Sequence, residues 1–144
     1  MEIKLPYSKS GMYVNIPDKN MIKVLQSKAH DFKTTLSESE IVKKALENPI
    51  ESETLEELVK DKKDVVIITS DHTRPVPSRI TLPIILNKIR NSNPDIDIKI
   101  IISTGCHRPS TREELVYKMG EEIVDKENIK MHFANDEESM VKVG

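Results

Sequence analysis

The sequence predicts an α/β protein with a Rossmann-like, mostly parallel sheet, helices on both faces and an N-terminal β-hairpin in front of it. Three observations carry that expectation. Val65-Val66-Ile67-Ile68 and Ile100-Ile101-Ile102 are unbroken β-branched runs, of the kind found in parallel strands covered on both faces. A helical stripe separates them, and a third apolar alternation follows a second helical stretch. The resulting order, strand–helix–strand–helix–strand, is that of a doubly wound unit with right-handed crossovers.

The elements follow in chain order. Ile3, Leu5 and Tyr7 alternate, Ser8-Lys9-Ser10-Gly11 offers a turn, and Tyr13 and Ile16 continue the pattern, which reads as a hairpin. Ile22, Leu25 and Ala29 stand at helical spacing within an ambiguous stretch, Asn20 to Phe32. Ser37 and Glu40 have capping-box spacing ahead of the stripe Ile41, Val42, Ala45 and Leu46, and Asn48-Pro49 stops that helix. Leu55, Leu58 and Val59 form a short amphipathic helix. After the Val65 to Ile68 strand, Ser70 to Pro77 is a loop. The next helix carries Ile80, Ile84 and Ile89, and Pro83 fits if it begins near Ser78 or Thr81, because the first turn needs no internal N–H partner. Asn93-Pro94-Asp95 turns the chain into the Ile96 to Ile102 strand. Thr104 to Ser110 is a second loop. Thr111 and Glu114 cap another helix, and Gly120 sits where a C-terminal cap glycine belongs. Ile129, Met131 and Phe133 complete the third strand.

Composition narrows the function. The chain has 144 residues, 22 Lys+Arg against 24 Asp+Glu and a net charge of −2. That balance excludes a bulk electrostatic attraction to nucleic acid. The aromatic fraction is 3%, without Trp, so the core must be aliphatic. Cys106 is the single cysteine, which rules out an internal disulfide and suits a reducing compartment. No apolar run reaches the ~18 residues of a membrane span, and the N-terminus lacks a signal-peptide layout. A soluble, cytoplasmic chain is expected, without a nucleic-acid or membrane partner.

The chemistry concentrates in two echoing loops. Ser70-Asp71-His72-Thr73-Arg74-Pro75 follows the first buried strand and Thr104-Gly105-Cys106-His107-Arg108-Pro109 the second. Ligands of open α/β sheets bind beyond the C-terminal strand ends, where both loops lie. Arg74 and Arg108 beside two helix N-termini suit a carboxylate or phosphate, and His72 and His107 can move protons near neutral pH. Gly105 lets the backbone approach a ligand. Asp71 caps the turn or pairs with an arginine, and His72 equally suits a bond to the loop backbone. Cys106 is expected to be a small buried hydrophobe, and His30 and His132 to be structural. The absence of G-x-G-x-x-G and G-x-x-x-x-G-K-[ST] argues against a standard dinucleotide fold and a P-loop. No metal-ligand spacing is present.

Asp71-His72-Thr73-Arg74-Pro75-Val76-Pro77 and Thr104-Gly105-Cys106-His107-Arg108-Pro109-Ser110-Thr111, with Glu113-Glu114-Leu115, resemble the two signature loops of the nickel-dependent lactate racemase family. Leu5-Pro6-Tyr7, Glu47-Asn48-Pro49-Ile50, Leu55-Glu56-Glu57-Leu58 and Met140-Val141-Lys142-Val143-Gly144 extend the resemblance over essentially the whole chain. It implies an isomerase that interconverts D- and L-lactate, or another 2-hydroxy acid, with a nickel-pincer nucleotide. In that chemistry a histidine takes the hydroxyl proton while the Cα hydrogen passes as hydride to the cofactor and returns to the other face.

Residue by residue, the resemblance makes His107 an acid–base histidine. Arg74 becomes the arginine for an anionic end of substrate or cofactor, and Asp71 orients His107 or Arg74 or contacts a ligand. The stretch Asp71, His72, Thr73 and Arg74 becomes the cofactor-contacting loop. Thr104, Gly105 and Arg108 are expected near the site only. No position matches the family's nickel-ligating histidine, pincer-anchoring lysine or second acid–base histidine. Residues 1–144 are therefore expected to be a truncated N-terminal α/β domain of a two-domain enzyme. On its own the chain is expected to hold no nickel, to be inactive and to self-associate through the surface its missing C-terminal part would cover. The alternatives are a non-catalytic anion- or nucleotide-binding module and a racemase or epimerase of a different 2-hydroxy acid.

Overall fold

The computed structural model describes residues 1–7 and 10–141. The chain divides into two compact units, Met1–Thr35 and Leu36–Gly144. In the first, β1 (Glu2–Tyr7) pairs antiparallel with β2 (Ser10–Asn15), with Ile3 opposite Val14 and Leu5 opposite Met12. This is the expected hairpin. Ser10 and Gly11, expected in its turn, already belong to β2, and Ser8 and Lys9 lie outside the described residues. The helical spacing of Ile22, Leu25 and Ala29 does not produce an α-helix. Short 3-10 turns at Asp18–Asn20 and Lys28–Asp31 take its place, and Ile22 and Leu25 are exposed. Periodicity alone does not hold a helix that has no surface to bury against.

The second unit contains α1 (Glu38–Glu47), α2 (Leu55–Val59), β3 (Asp64–Ser70), α3 (Ser78–Ser92), β4 (Asp97–Ser103), α4 (Arg112–Met119), α5 (Glu121–Lys126) and β5 (Asn128–His132). Capping boxes start three of the helices, with Ser37 and Glu40 at α1, Thr54 and Glu57 at α2, and Thr111 and Glu114 at α4. Strands β3, β4 and β5 pair in parallel in that order, with Ser70 opposite Ser103 and Ser103 opposite His132. Phe133 falls just past β5.

Ile98, Ile100 and Ile102 alternate along β4 and face one side of the sheet, where they pack with Leu82, Leu86 and Ile89 of α3 and with Leu115, Met119 and Ile123 of α4 and α5. The buried core has no aromatic residue, as the composition required. The expectation of helices on both faces is corrected here. Both crossovers run from one strand to its next neighbour in the same direction, so crossovers of one hand place α3 and α4–α5 on the same face. On the other face Val66 and Ile68 are 48% and 71% exposed.

Three further details differ from expectation. The buried stripe of α3 runs through Ser78, Leu82, Leu86 and Ile89, with Ile80 and Ile84 only partly buried. Pro83 is the sixth residue of a helix beginning at Ser78, beyond the first turn. It is exposed, so water can satisfy the carbonyl that its missing N–H leaves over. Gly120 adopts φ +94° between α4 and α5, and the short α5 was not foreseen. Lastly, no helix among the described residues is long and apolar enough to cross a membrane.

Candidate active site

Parallel pairing of Ser70 with Ser103 ends β3 and β4 level with each other, so the loops that follow emerge side by side. The first loop folds on its own aspartate. Asp71 Oδ1 accepts from the Thr73 backbone N–H at 3.0 Å and the Thr73 hydroxyl at 2.6 Å, a local turn typical of Asp. The second loop turns at Gly105, whose φ of +57° lies in the left-handed region. The His107 N–H then bonds the Thr104 carbonyl at 3.0 Å, and the Thr104 hydroxyl donates to the His132 carbonyl.

These turns bring His107 and Asp71 together. Nδ1 of His107 lies 2.5 Å from Asp71 Oδ2 and 3.4 Å from the Thr73 hydroxyl. Asp71 is only 1% exposed, and each of its oxygens is engaged. Of the two partners expected for it, its carboxylate meets His107 and not the Arg74 guanidinium. The Thr73 hydroxyl bond, aided by the bond from His107, holds the Asp71 carboxyl well below the usual carboxylate range despite its desolvation. With Asp71 ionised, Nδ1 must carry the ring proton to donate. That leaves Nε2 as the basic nitrogen, with no hydrogen-bond partner among the described residues.

The other residues divide clearly. Arg74 is exposed, and among the described residues its guanidinium has no ion pair or hydrogen bond. Arg108, expected only nearby, is committed: its guanidinium grips Glu114 through two bonds of 2.9 and 2.6 Å. The anion site thus keeps one free arginine, not two. That guanidinium, with the Thr111 N–H, brings the Glu114 carboxyl down to about 2. His72 is also tied in, with Nδ1 2.9 Å from the Ser110 hydroxyl and Nε2 3.5 Å from Glu114. Its ring links the two loops. Cys106 is exposed, not buried, because it rides between Gly105 and His107 above the strand end.

Arg74 forms a wall of two clefts. One, of about 460 Å³, is lined by Ser70, Asp71, Ser103, Thr104 and His107 as well. The other, of about 940 Å³, runs along Val76, Arg79, Tyr117 and Lys118 and does not reach His107. The smaller one brings the His107 ring and the free Arg74 guanidinium to one wall.

Sequence reasoning missed two residues here. Glu114 stands in the sequence as a helix cap and part of the second signature stretch, and its contacts with Arg108 and His72 go beyond both readings. Lys118, buried on α4, donates to the Arg74 carbonyl at 3.1 Å, and nothing in the sequence distinguishes it from a surface lysine.

The sequence pattern of the lactate racemase N-terminal domain matches residues 7–144. The chain belongs to that family. A lactate racemase of Lactiplantibacillus plantarum is 52% identical over 142 residues, covering 99% of this chain and 34% of the relative. Another, of Thermoanaerobacterium thermosaccharolyticum, is 47% identical over 99% of this chain and 33% of the relative. The structure of the lactate racemase apoprotein from the latter organism superposes with a TM-score of 0.85 at 45% identity, over 100% of this chain and 33% of that one. The chain thus spans about a third of the length of the relatives it matches. The expected α/β fold with its leading hairpin is the fold of that neighbour.

Proposed function

We propose that the chain supplies one wall of the active site of a lactate racemase, with His107 as the acid–base group on the substrate hydroxyl. The observation that carries this reading is the Asp71–His107 pair at 2.5 Å beside an uncommitted Arg74. Asp71 fixes the tautomer in which Nε2 accepts the hydroxyl proton of a 2-hydroxy acid and later returns it. Arg74 takes the carboxylate through its planar fork. Gly105 and Thr104 set the height of the His107 ring above the strand end.

The residues here fit only part of the nickel-pincer nucleotide. Arg74 and the His72–Thr73 stretch suit an anionic, hydrogen-bonding nucleotide. Among the described residues no group of His, Cys, Asp or Glu is placed to hold a metal ion, so nickel ligands would come from other residues. When bound, the cofactor supplies the acceptor for the Cα hydrogen.

The test is conversion of L-lactate to D-lactate by the full-length, cofactor-loaded enzyme. The His107→Ala variant is expected to lose about 10²–10⁴-fold in kcat, the usual share of a general acid–base group. Arg74→Ala is expected to raise KM by about ten- to a hundredfold, matching the ~1.5–3 kcal/mol of a charged hydrogen bond. A wild-type enzyme that leaves lactate unchanged, or a fully active His107→Ala variant, overturns the proposal.

A further inference from the structure

Lys118 stands one helical turn after Glu114 on α4, so both side chains project from one face of that helix. That face grips the first loop at two points. Glu114 meets His72 Nε2 at 3.5 Å, and Lys118 Nζ donates to the Arg74 carbonyl at 3.1 Å. Lys118 is 8% exposed, and its ammonium makes no ion pair among the described residues. Burial pushes its pKa below the ordinary lysine value, and the charge of Asp71 only partly opposes that. A buried ammonium with one carbonyl partner is a poor device for stability, because desolvation of an unpaired charge is costly. An apolar side chain of the same length would serve packing better. What Lys118 does hold is the backbone of the one residue whose free guanidinium faces the His107 cleft.

We propose that Lys118 is a positioning residue for the substrate anion, acting through the main chain of Arg74. It clamps the 71–74 loop from α4, the helix that the His107 loop feeds. The Arg74 guanidinium is thereby presented at a set distance from His107. Arg74 then comes from one loop and His107 from the other, and the helix behind the second loop sets their spacing. This inference rests on the racemase reading for its ligand, while the clamp itself does not.

Two measurements on the full-length enzyme test it. In the first, amide hydrogen exchange of residues 72–76 is compared between wild type and Lys118→Met. A local rise of at least tenfold, with β4 and α4 unchanged, is expected. No rise there, or an equal rise throughout the domain, overturns the clamp whether or not the enzyme acts on lactate. In the second, a double-mutant cycle pairs Lys118→Met with Arg74→Ala. Lys118→Met alone is expected to raise the KM for lactate at least tenfold, to change kcat less than threefold and to leave the melting temperature no lower. Lys118→Arg, which keeps a cationic donor, is expected to restore KM to within threefold. On the Arg74→Ala background Lys118→Met is expected to add nothing. Independent, multiplying effects, or an unchanged KM in the single variant, overturn the proposal. If Lys118→Met does not fold, Lys118→Gln takes its place in both measurements with the same readings. A wild-type enzyme inert toward lactate sinks the racemase reading instead, and hydrogen exchange still decides on Lys118.

Discussion

Nδ1 of His107 lies 2.5 Å from Oδ2 of Asp71, across 36 positions of sequence. The contact joins the loop after β3 to the loop after β4, and the carboxylate is buried while the ring stays 44% exposed on its side chain. One partner is thus held still and the other presented. Asp71→Asn keeps the shape of this pair but can donate to Nδ1, which favours the tautomer with the proton on Nε2. The variant is expected to lose kcat strongly, by about 10²-fold or more given the cost of a wrong tautomer elsewhere, with KM nearly kept. Steady-state racemisation kinetics check this, and an equal fall in binding instead of turnover would contradict it.

Acid stability should report both carboxylates of the loop pair. Asp71 and Glu114 titrate below their ordinary values in the folded chain, so each contributes stability that is complete above the unfolded carboxylate range and is lost as pH falls through the folded value. For Glu114 the window runs from 4.5 down to about 2, and for Asp71 it extends lower. Melting temperature measured from pH 6 to pH 2 is expected to fall steeply below about pH 4.5. Glu114→Gln and Asp71→Asn should each flatten that limb, and a limb unchanged in both would show that other groups set it.

Gly105 has φ +57°, and a Cβ there would meet nothing within 4 Å. The cost of a side chain is therefore backbone strain alone. Gly105→Ala is expected to destabilise the domain by about 1–2 kcal/mol, and Gly105→Asn by less, because Asn tolerates the left-handed region. Chemical denaturation of the two variants decides; equal losses would point to crowding instead.

Ile68 and Val66 lie on the sheet face opposite the core and remain 71% and 48% exposed. Such a patch favours association. Ile68→Lys is expected to reduce self-association of the 144-residue chain in light scattering, with stability within about 0.5 kcal/mol. Unchanged association would direct attention to the exposed apolar residues of the first unit, such as Ile22 and Phe32.

Local chemistry was readable where it is decided locally. The capping boxes at Ser37 and Thr111, the β-branched runs of β3 and β4, and the Asn93-Pro94-Asp95 turn each follow from bonds and sterics within a few residues. The helical spacing of Ile22, Leu25 and Ala29 misled, because a helix also needs a partner surface. The face of α3 was misjudged because Leu82 and Leu86 compete with Ile80 and Ile84 for the core, and only the sheet's position selects between them.

The sequence by itself determined a parallel α/β unit with an aliphatic core, and it marked the Asp71–Arg74 and Thr104–Arg108 loops as the bearers of chemistry. Which members of those loops stay free was settled only in three dimensions. Arg74 and Arg108 are alike in type and setting along the chain, yet Glu114 takes Arg108 through two hydrogen bonds and leaves Arg74 open. Asp71 is buried against Thr73 and His107, and Lys118 gains its hold on the Arg74 carbonyl from the packing of α4 against the first loop. The Asp71–His107 and Arg74–Lys118 contacts join residues 36 and 44 positions apart, and strand register and helix packing set those distances.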